Sequence, residues 1–333
     1  MTAYYQDKIE SLQRIFGTQE VALEKDAVRV GDRHYPVLDD VIVLLEPERQ
    51  PPSVRREVSS RAGTGAIGGA FAPDIQFTFG EEWKRYDRIL PEHEGEFRLY
   101  FDLVDLSALR RARVCDLGCG IGRWSHFLKD RCQELVLVDF SDAIFVARRN
   151  LLDARNALFF MGDIKALPFA DDFCDFLFCL GVLHHLPTPC LDEVRALRRY
   201  APRLLIFLYY ALDNRPFHYR FLLAGVTAAR RVLYRVRSPV ARRLVSAAGA
   251  LLLYEPLVWL GRALRPIGLA SHVPLYDFYR DKSLKRIEQD VYDRFFTRME
   301  QRVSRRDILA LQDTFADVKV SNDFPYWHFL AVR

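Results

Sequence analysis

The sequence predicts an α/β fold built on a doubly wound, mostly parallel sheet, and three observations carry that prediction. Five apolar runs read as strands: RVCDL (113–117), ELVLVD (134–139), ALFFMGD (157–163), CDFLFCLGVL (174–183) and RLLIFLYY (203–210). They are apolar almost throughout instead of alternating, which is the pattern of strands covered on both faces. Stretches of helical spacing separate them, and the first run enters a glycine-rich turn that opens a helix.

The elements follow in order. Residues 1–45 read as a small β-rich appendage, VALEKDAVRV and GDRHYPVLDDVIVLL being short strands joined by a Gly-Asp turn. Proline, serine, arginine and glycine crowd 46–75 and apolar periodicity stops there, which predicts a linker. EEWKRYDRIL and EGEFRLYFDLV then read as helices. Within the alternating region, RWSHFLKDR, SDAIFVARRNLLDA (opened by a serine cap) and LDEVRALRRY are the helices. Residues 212–308 break the alternation and read as a helical insert after the fifth strand. SRRDILALQDTF resumes it, and ADVKVS and YWHFLAVR close the sheet as an antiparallel pair. The expected core is therefore a Rossmann-like, seven-stranded sheet over 76–211 and 309–333.

Composition narrows the classes. The chain has 333 residues, half hydrophobic and 28% charged, enough for a sizeable core and too apolar for disorder. The N-terminal MTAYYQDKIESLQR has no apolar signal region, so secretion is not expected. No run of 18 uncharged apolar residues occurs, and the longest in the insert, 244–254, is too short to span a bilayer. Six cysteines (115, 119, 132, 174, 179, 190) contain no CxxC pair, which predicts reduced thiols and a cytoplasmic protein. A net charge of +4 is too small to argue for nucleic acid.

The strongest local signal is Val114-Cys115-Asp116-Leu117-Gly118-Cys119-Gly120-Ile121-Gly122-Arg123. A dinucleotide fingerprint would want glycine at 123, where arginine stands, and the phosphate loop's Gly-Lys-Ser/Thr is absent. An acidic residue just before the first glycine suits a ligand bearing an ammonium group. Asp116 thus points to an amino-acid-bearing nucleotide.

Here the chain resembles the class I S-adenosylmethionine-dependent methyltransferases, over roughly 76–211 plus 309–333. Three further landmarks fall in order: Asp139-Phe140 at the end of the second strand, Gly162-Asp163-Ile164 after the third, and Cys179-Leu180-Gly181-Val182-Leu183-His184-His185-Leu186-Pro187 after the fourth. The last is similar to the equivalent run of the broad group that includes ubiquinone and menaquinone methyltransferases. The resemblance implies that Asp116, Gly118, Cys119, Gly120, Gly122, Asp139, Phe140, Asp163, Ile164 and Leu180 hold S-adenosylmethionine, released as S-adenosylhomocysteine. Asp139 would take the ribose hydroxyls and Asp163 the adenine amino group. A helix cap or turn is the alternative for each lone aspartate.

Methyl transfer is an in-line displacement that needs alignment, a dry pocket and a nucleophilic acceptor, and positioning alone supplies about 7–11 kcal/mol. No carboxylate cluster suggests a metal. His184 and His185 are candidates for a general base toward a hydroxyl acceptor, with packing as the alternative. Tyr209 and Tyr210 are candidate acceptor contacts at the end of the fifth strand. His272, Tyr276, Asp277 and Arg280 in SHVPLYDFYR are others, since inserts at this point often form the acceptor lid in the resembled family, with helix capping and packing as the alternative. Trp83 and Tyr86 would close over the cofactor, with core packing as the alternative.

Between Arg215 and Arg265 stand ten arginines, one glutamate and no lysine, interleaved with FLLAGV, LVSAAGALLLY and PLVWLG. This suits an anionic membrane surface or a lipid-like acceptor, with a solvated basic cap as the alternative. No RNA-binding motif accompanies it, so nucleic acid is not the expected partner. The first 45 residues resemble the zinc-ribbon-like module that precedes some methyltransferases, but contain no cysteine, so the appendage is expected to be metal-free. The function expected is metal-independent methyl transfer, preferably to oxygen of a small or lipid-linked acceptor. The alternatives are RNA methylation through the basic insert, or a cofactor-binding scaffold.

Overall fold

Near-continuous apolar runs fold as buried strands because no polar side chain has to face water. Five of them form β5 (Arg113–Leu117), β6 (Glu134–Asp139), β7 (Ala157–Met161), β8 (Phe176–Leu180) and β9 (Arg203–Phe207), all parallel, in the order β7-β6-β5-β8-β9. The closing hairpin, β10 (Asp317–Val320) and β11 (Phe329–Val332), adds β11 antiparallel to β9 and β10 outside it. These are the seven strands expected. The computed structural model describes residues 2–62, 87–214, 217–236, 238–323 and 325–333. Trp83 and Tyr86, and 63–75 of the expected linker, lie outside them.

Among the described residues the sheet has eleven strands, not seven. The appendage β1 (Val21–Leu23), β2 (Ala27–Val30), β3 (Arg33–Leu38) and β4 (Val41–Val43) is an antiparallel meander whose last strand pairs parallel with β7, Val41 opposite Phe159. It therefore continues the sheet instead of standing apart. Three contacts tie it down. Tyr5 Oη donates to the Asp40 carbonyl at 2.6 Å, Tyr4 Oη to the Ala157 carbonyl at 2.7 Å, and Arg148 pairs with Asp40 at 2.9 Å. Part of the expected linker is helical: α2 (Pro52–Ala62) follows α1 (Ile9–Phe16), with Val54 buried.

Among the described residues, further helices before the insert are α3 (Glu92–Tyr100), α4 (Ser125–Leu128), α5 (Ala143–Asn150) and α6 (Cys190–Leu197). All six cysteines are buried free thiols.

Residues Met1–Tyr209 with Gln301–Arg333 form one unit, and Tyr210–Glu300 the second. The insert is thus shorter than the expected 212–308. The chain rejoins the first unit early because the Gln301 and Val303 amides donate to the carbonyls of His184 and Tyr209 at 2.9 and 3.0 Å. The helix predicted in SRRDILALQDTF starts at Ser304, whose hydroxyl and the Asp307 carboxylate cap each other's backbone.

The second unit contains α7 (Phe217–Leu233), α8 (Pro239–Gly249), α9 (Glu255–Leu264), α10 (Tyr276–Tyr279) and α11 (Leu284–Phe296); α12 (Arg305–Leu309) belongs to the first. A π turn, Ala250–Tyr254, joins α8 to α9, so Pro239–Ile267 is one 29-residue helix. By length and composition it could cross a membrane, contrary to the sequence expectation. The apolar count had stopped at Glu255 and Pro256, which the helix passes through.

Candidate cofactor site

The site is built where β5, β6, β7 and β8 end, at the point where strand order reverses from β5. Ligands of open α/β sheets bind there. Gly118, Gly120 and Gly122 all have positive φ, and Gly118 shows why no other residue fits. Its φ is +79°, and a Cβ there would lie 2.5 Å from Val182 Cγ2, in the turn after β8. The glycine turn and the β8 turn are thus in direct contact.

Asp139 locks the glycine turn to β6. Its Oδ2 accepts from the Gly120 amide at 2.9 Å, and the Gly118 and Cys119 amides donate to the Val138 carbonyl at 2.7 and 3.0 Å. Its Oδ1 accepts from the Ser141 amide and hydroxyl at 2.9 and 2.7 Å. Both lone pairs of Oδ1 are engaged by Ser141, so Oδ2 is the oxygen with room for an incoming hydroxyl. Burial raises the Asp139 carboxyl above its usual range, while Ser141 and the backbone amides pull it back.

Asp116, at 2% exposure, is the second buried carboxyl. Its Oδ2 accepts from Ser125 Oγ at 2.7 Å. Desolvation pushes its pKa up to about 7; Asp139 adds to the rise, and Ser125 and Arg123 oppose it. A carboxyl held this way gains from an arriving ammonium group, so the residues present fit the amino-acid end of S-adenosylmethionine. Arg123, which breaks the dinucleotide fingerprint, lies over the Trp124 ring at 4.3 Å.

Other expected contacts are placed differently. Asp163 caps a short 3-10 turn, accepting from the Lys165 amide at 3.0 Å, and pairs with Arg49. Its carboxylate is therefore shared with an arginine of the N-terminal region that sequence reading did not find. Phe140, Ile164 and Leu180 are half-buried at the strand ends, and Cys119 is buried. Gly181 faces open space. His184 and His185 are both buried (0% and 3% exposed), their ring centroids 4.1 Å apart, and His184 stacks on Tyr209 at 4.0 Å. The three rings form one cluster, with the Arg302 guanidinium over Tyr209 at 5.4 Å. Tyr209 is half-buried.

Tyr210, His272, Tyr276, Asp277 and Arg280 belong to the second unit. There Tyr276 is 2% exposed and its ring closes on Gly261, so it packs the interior. His272 is exposed on an apolar groove, Asp277 is half-buried, and Arg280 pairs with Asp281 at 3.1 Å. Sequence reading did not find Arg49 or Ser125, took Ser141 only for a helix cap and gave Val182, inside the fourth landmark, no role. Only Ser141, two residues after Asp139, carried a local signal.

Chemically, the cofactor would supply an activated methyl group. Asp116 would hold its charged end and Asp139 its ribose, beside the glycine turn that Asp139 already fixes through the Gly120 amide. Among the described residues no three His, Cys, Asp or Glu side chains are grouped to hold a metal.

A model of a methyltransferase domain matches residues 114–201, the segment carrying the glycine turn, Asp139, Asp163 and the His184-His185 turn. A tRNA U34 carboxymethyltransferase of Trichodesmium erythraeum is 26% identical over 123 residues, 36% of this chain and 33% of that protein. The chain thus spans about a third of the curated relative it matches. Among solved structures, magnesium protoporphyrin IX methyltransferase of Synechocystis, with bound S-adenosylmethionine, is 21% identical over 46% of this chain and 85% of that one, with a TM-score of 0.35. A methyltransferase of Methanococcus maripaludis is 13% identical over 77% and 94%, with a TM-score of 0.39. The similarity to a tRNA-modifying protein overturns the expectation that nucleic acid is an improbable partner. That expectation rested on net charge and the lack of an RNA-binding motif, and neither constrains what a Rossmann-like domain presents to its acceptor. Residues 114–201 are thus a methyltransferase domain.

Proposed function

We propose that this protein transfers a methyl group from S-adenosylmethionine to an oxygen atom of a small or lipid-linked acceptor, by a route that needs no metal. One observation carries the donor half. The Gly118–Gly120 turn is clamped by Asp139 beside the buried carboxyl of Asp116. Asp116 takes the ammonium group and Asp139 Oδ2 a ribose hydroxyl. On the acceptor half, the His184–His185–Tyr209 cluster supports a hydroxyl acceptor, because an imidazole near a strand end is suited to removing its proton.

Calorimetric titration of the wild type and of Asp139→Ala with S-adenosylmethionine and S-adenosylhomocysteine tests the donor half. Binding in the wild type, lost in the variant, is expected; no binding to the wild type refutes the reading. A second reading, an RNA acceptor, is favoured by the similarity to the tRNA-modifying relative. Methyl-labelled cofactor incubated in parallel with small metabolites, lipid extract and bulk tRNA separates the two. Label in the tRNA arm alone selects the second.

A further inference from the structure

Apolar side chains crowd the outside of the second unit. On α7, Phe217, Phe221, Leu222 and Val232 are exposed, and on the 29-residue helix so are Val240, Leu244, Leu251, Leu252, Leu253, Trp259, Leu260 and Ile267. The two sets meet at an apolar groove of about 710 Å³ lined by Phe221, Leu222, Gly225, Leu257 and Leu260, with His272 at its edge. Exposed apolar area on this scale marks an interaction surface.

The arginines divide into two groups. Arg230 pairs with Glu300, and Arg242 is buried against the Val236 carbonyl and Tyr292 Oη; these two are structural. Arg231, Arg235, Arg243, Arg262 and Arg265 are exposed. Arg243 precedes the apolar stretch Leu244–Leu260, and Arg262 and Arg265 follow it. The Arg262 guanidinium lies over the Trp259 ring at 5.2 Å. Glu255 is the one acidic residue of that stretch, and it is half-buried.

The helix is buried along one stripe: Arg242, Ser246, Ala250, Tyr254, Val258 and Gly261. An α-helix drifts about 40° over each four-residue step. The wider winding of the π turn absorbs part of that drift and keeps the stripe against α11, where Gly249 meets Val291. It also leaves three consecutive leucines, 251–253, facing out. Because α11 carries Lys285, Arg286, Glu288, Asp290, Asp293 and Arg294, a spanning orientation would drag ionised groups into hydrocarbon.

We propose that this face is a docking surface for an anionic lipid bilayer. The helix lies in the plane of the interface, its leucines and Trp259 enter the acyl boundary, and the arginines reach the phosphate groups. The charge pattern singles out this occupant. A second copy packed across a two-fold would bring like arginine fringes together, and a nucleic acid would leave the leucines without partners.

The test is co-sedimentation of the full chain with vesicles of phosphatidylcholine containing about one-third phosphatidylglycerol, against pure phosphatidylcholine. Two variants accompany it, Leu252→Ser with Trp259→Ser, and Arg243→Gln with Arg262→Gln; all four positions are exposed, and thermal melting confirms folding. Retention on the anionic vesicles is expected, released by a high-salt wash and weakened about tenfold or more by either variant. Several results would overturn the proposal. They are no retention, retention indifferent to the leucine–tryptophan variant, resistance to alkaline carbonate (a spanning helix), and a wild-type dimer that the same variant splits. So would tRNA displacing the vesicles from the wild type.

Discussion

With Asp116 taking the ammonium group as proposed, the cofactor's affinity should depend on pH in a direction that can be worked out. Its carboxyl sits at about 7 in the folded protein against 3.8 for the unperturbed group. Between those values the native state binds more protons than the unfolded chain, so stability falls as pH rises from about 4 to about 7. At 1.36 kcal/mol per unit, the full cost of the ionised carboxyl is about 4 kcal/mol, an upper figure because water and relaxation reduce it. An ammonium group needs the ionised form. Binding at pH 6 therefore expels a proton, and affinity rises about tenfold per unit as pH climbs toward 7. It falls again above about 8, where an α-amino group loses its own charge. Calorimetry from pH 5.5 to 8.5, in two buffers of different ionisation heat, reads both affinity and proton release. Asp116→Asn should bind weakly, release no proton at pH 6 and lose the acid limb. Asp139 is shifted in the same direction, so the variant is what assigns the effect. A wild-type affinity flat across the acid limb, or proton release unchanged in Asp116→Asn, refutes the assignment.

The remaining predictions touch single contacts. Ser125→Ala removes the hydrogen bond that favours the charged Asp116, so the midpoint of the acid limb should move to higher pH in the same titration. Gly118→Ala forces an L side chain to φ +79° and into Val182; a loss of about 1–3 kcal/mol in denaturant melts and loss of cofactor binding are expected. Gly261→Ala places a methyl inside the Tyr276 ring and should lower the melting of the second unit by a similar amount, leaving cofactor affinity unchanged. His185→Asn should lower turnover on a hydroxyl acceptor about 10²-fold or more with the Kd for S-adenosylmethionine unchanged, whereas a purely packing role would show only as a lower Tm.

What the sequence made legible was local. The strand ends, the glycine turn and Asp139 could be placed because each is specified by neighbours a few residues away: an apolar run, then glycines at fixed spacing, then a cap. What it hid depends on distance along the chain. Arg49 reaches Asp163 across 114 positions, and nothing in EPERQPP marks that arginine as different from its neighbours. β4 joins β7 through a register visible only once both strands exist. The uncharged run ends at Tyr254 because Glu255 carries a charge and Pro256 lacks an amide donor, and the π turn that carries the helix past them has no sequence signature of its own. The packing of Tyr276, buried with its ring against Gly261, was hidden in the same way. Its partner is a glycine, which leaves no pattern.

The two buried carboxyls also explain why the site is built at some expense to stability. Asp139 adds to the cost of ionising Asp116, and each is held by a serine and, for Asp139, by backbone amides. A hydrophobic pair in their places would pack better, but could not discriminate a cationic amino-acid end from a pyrophosphate. The charge that destabilises the empty fold is the charge the ligand neutralises. The protein should therefore gain more thermal stability from S-adenosylmethionine at pH 8 than at pH 5.5, where the Asp116 carboxyl is already protonated.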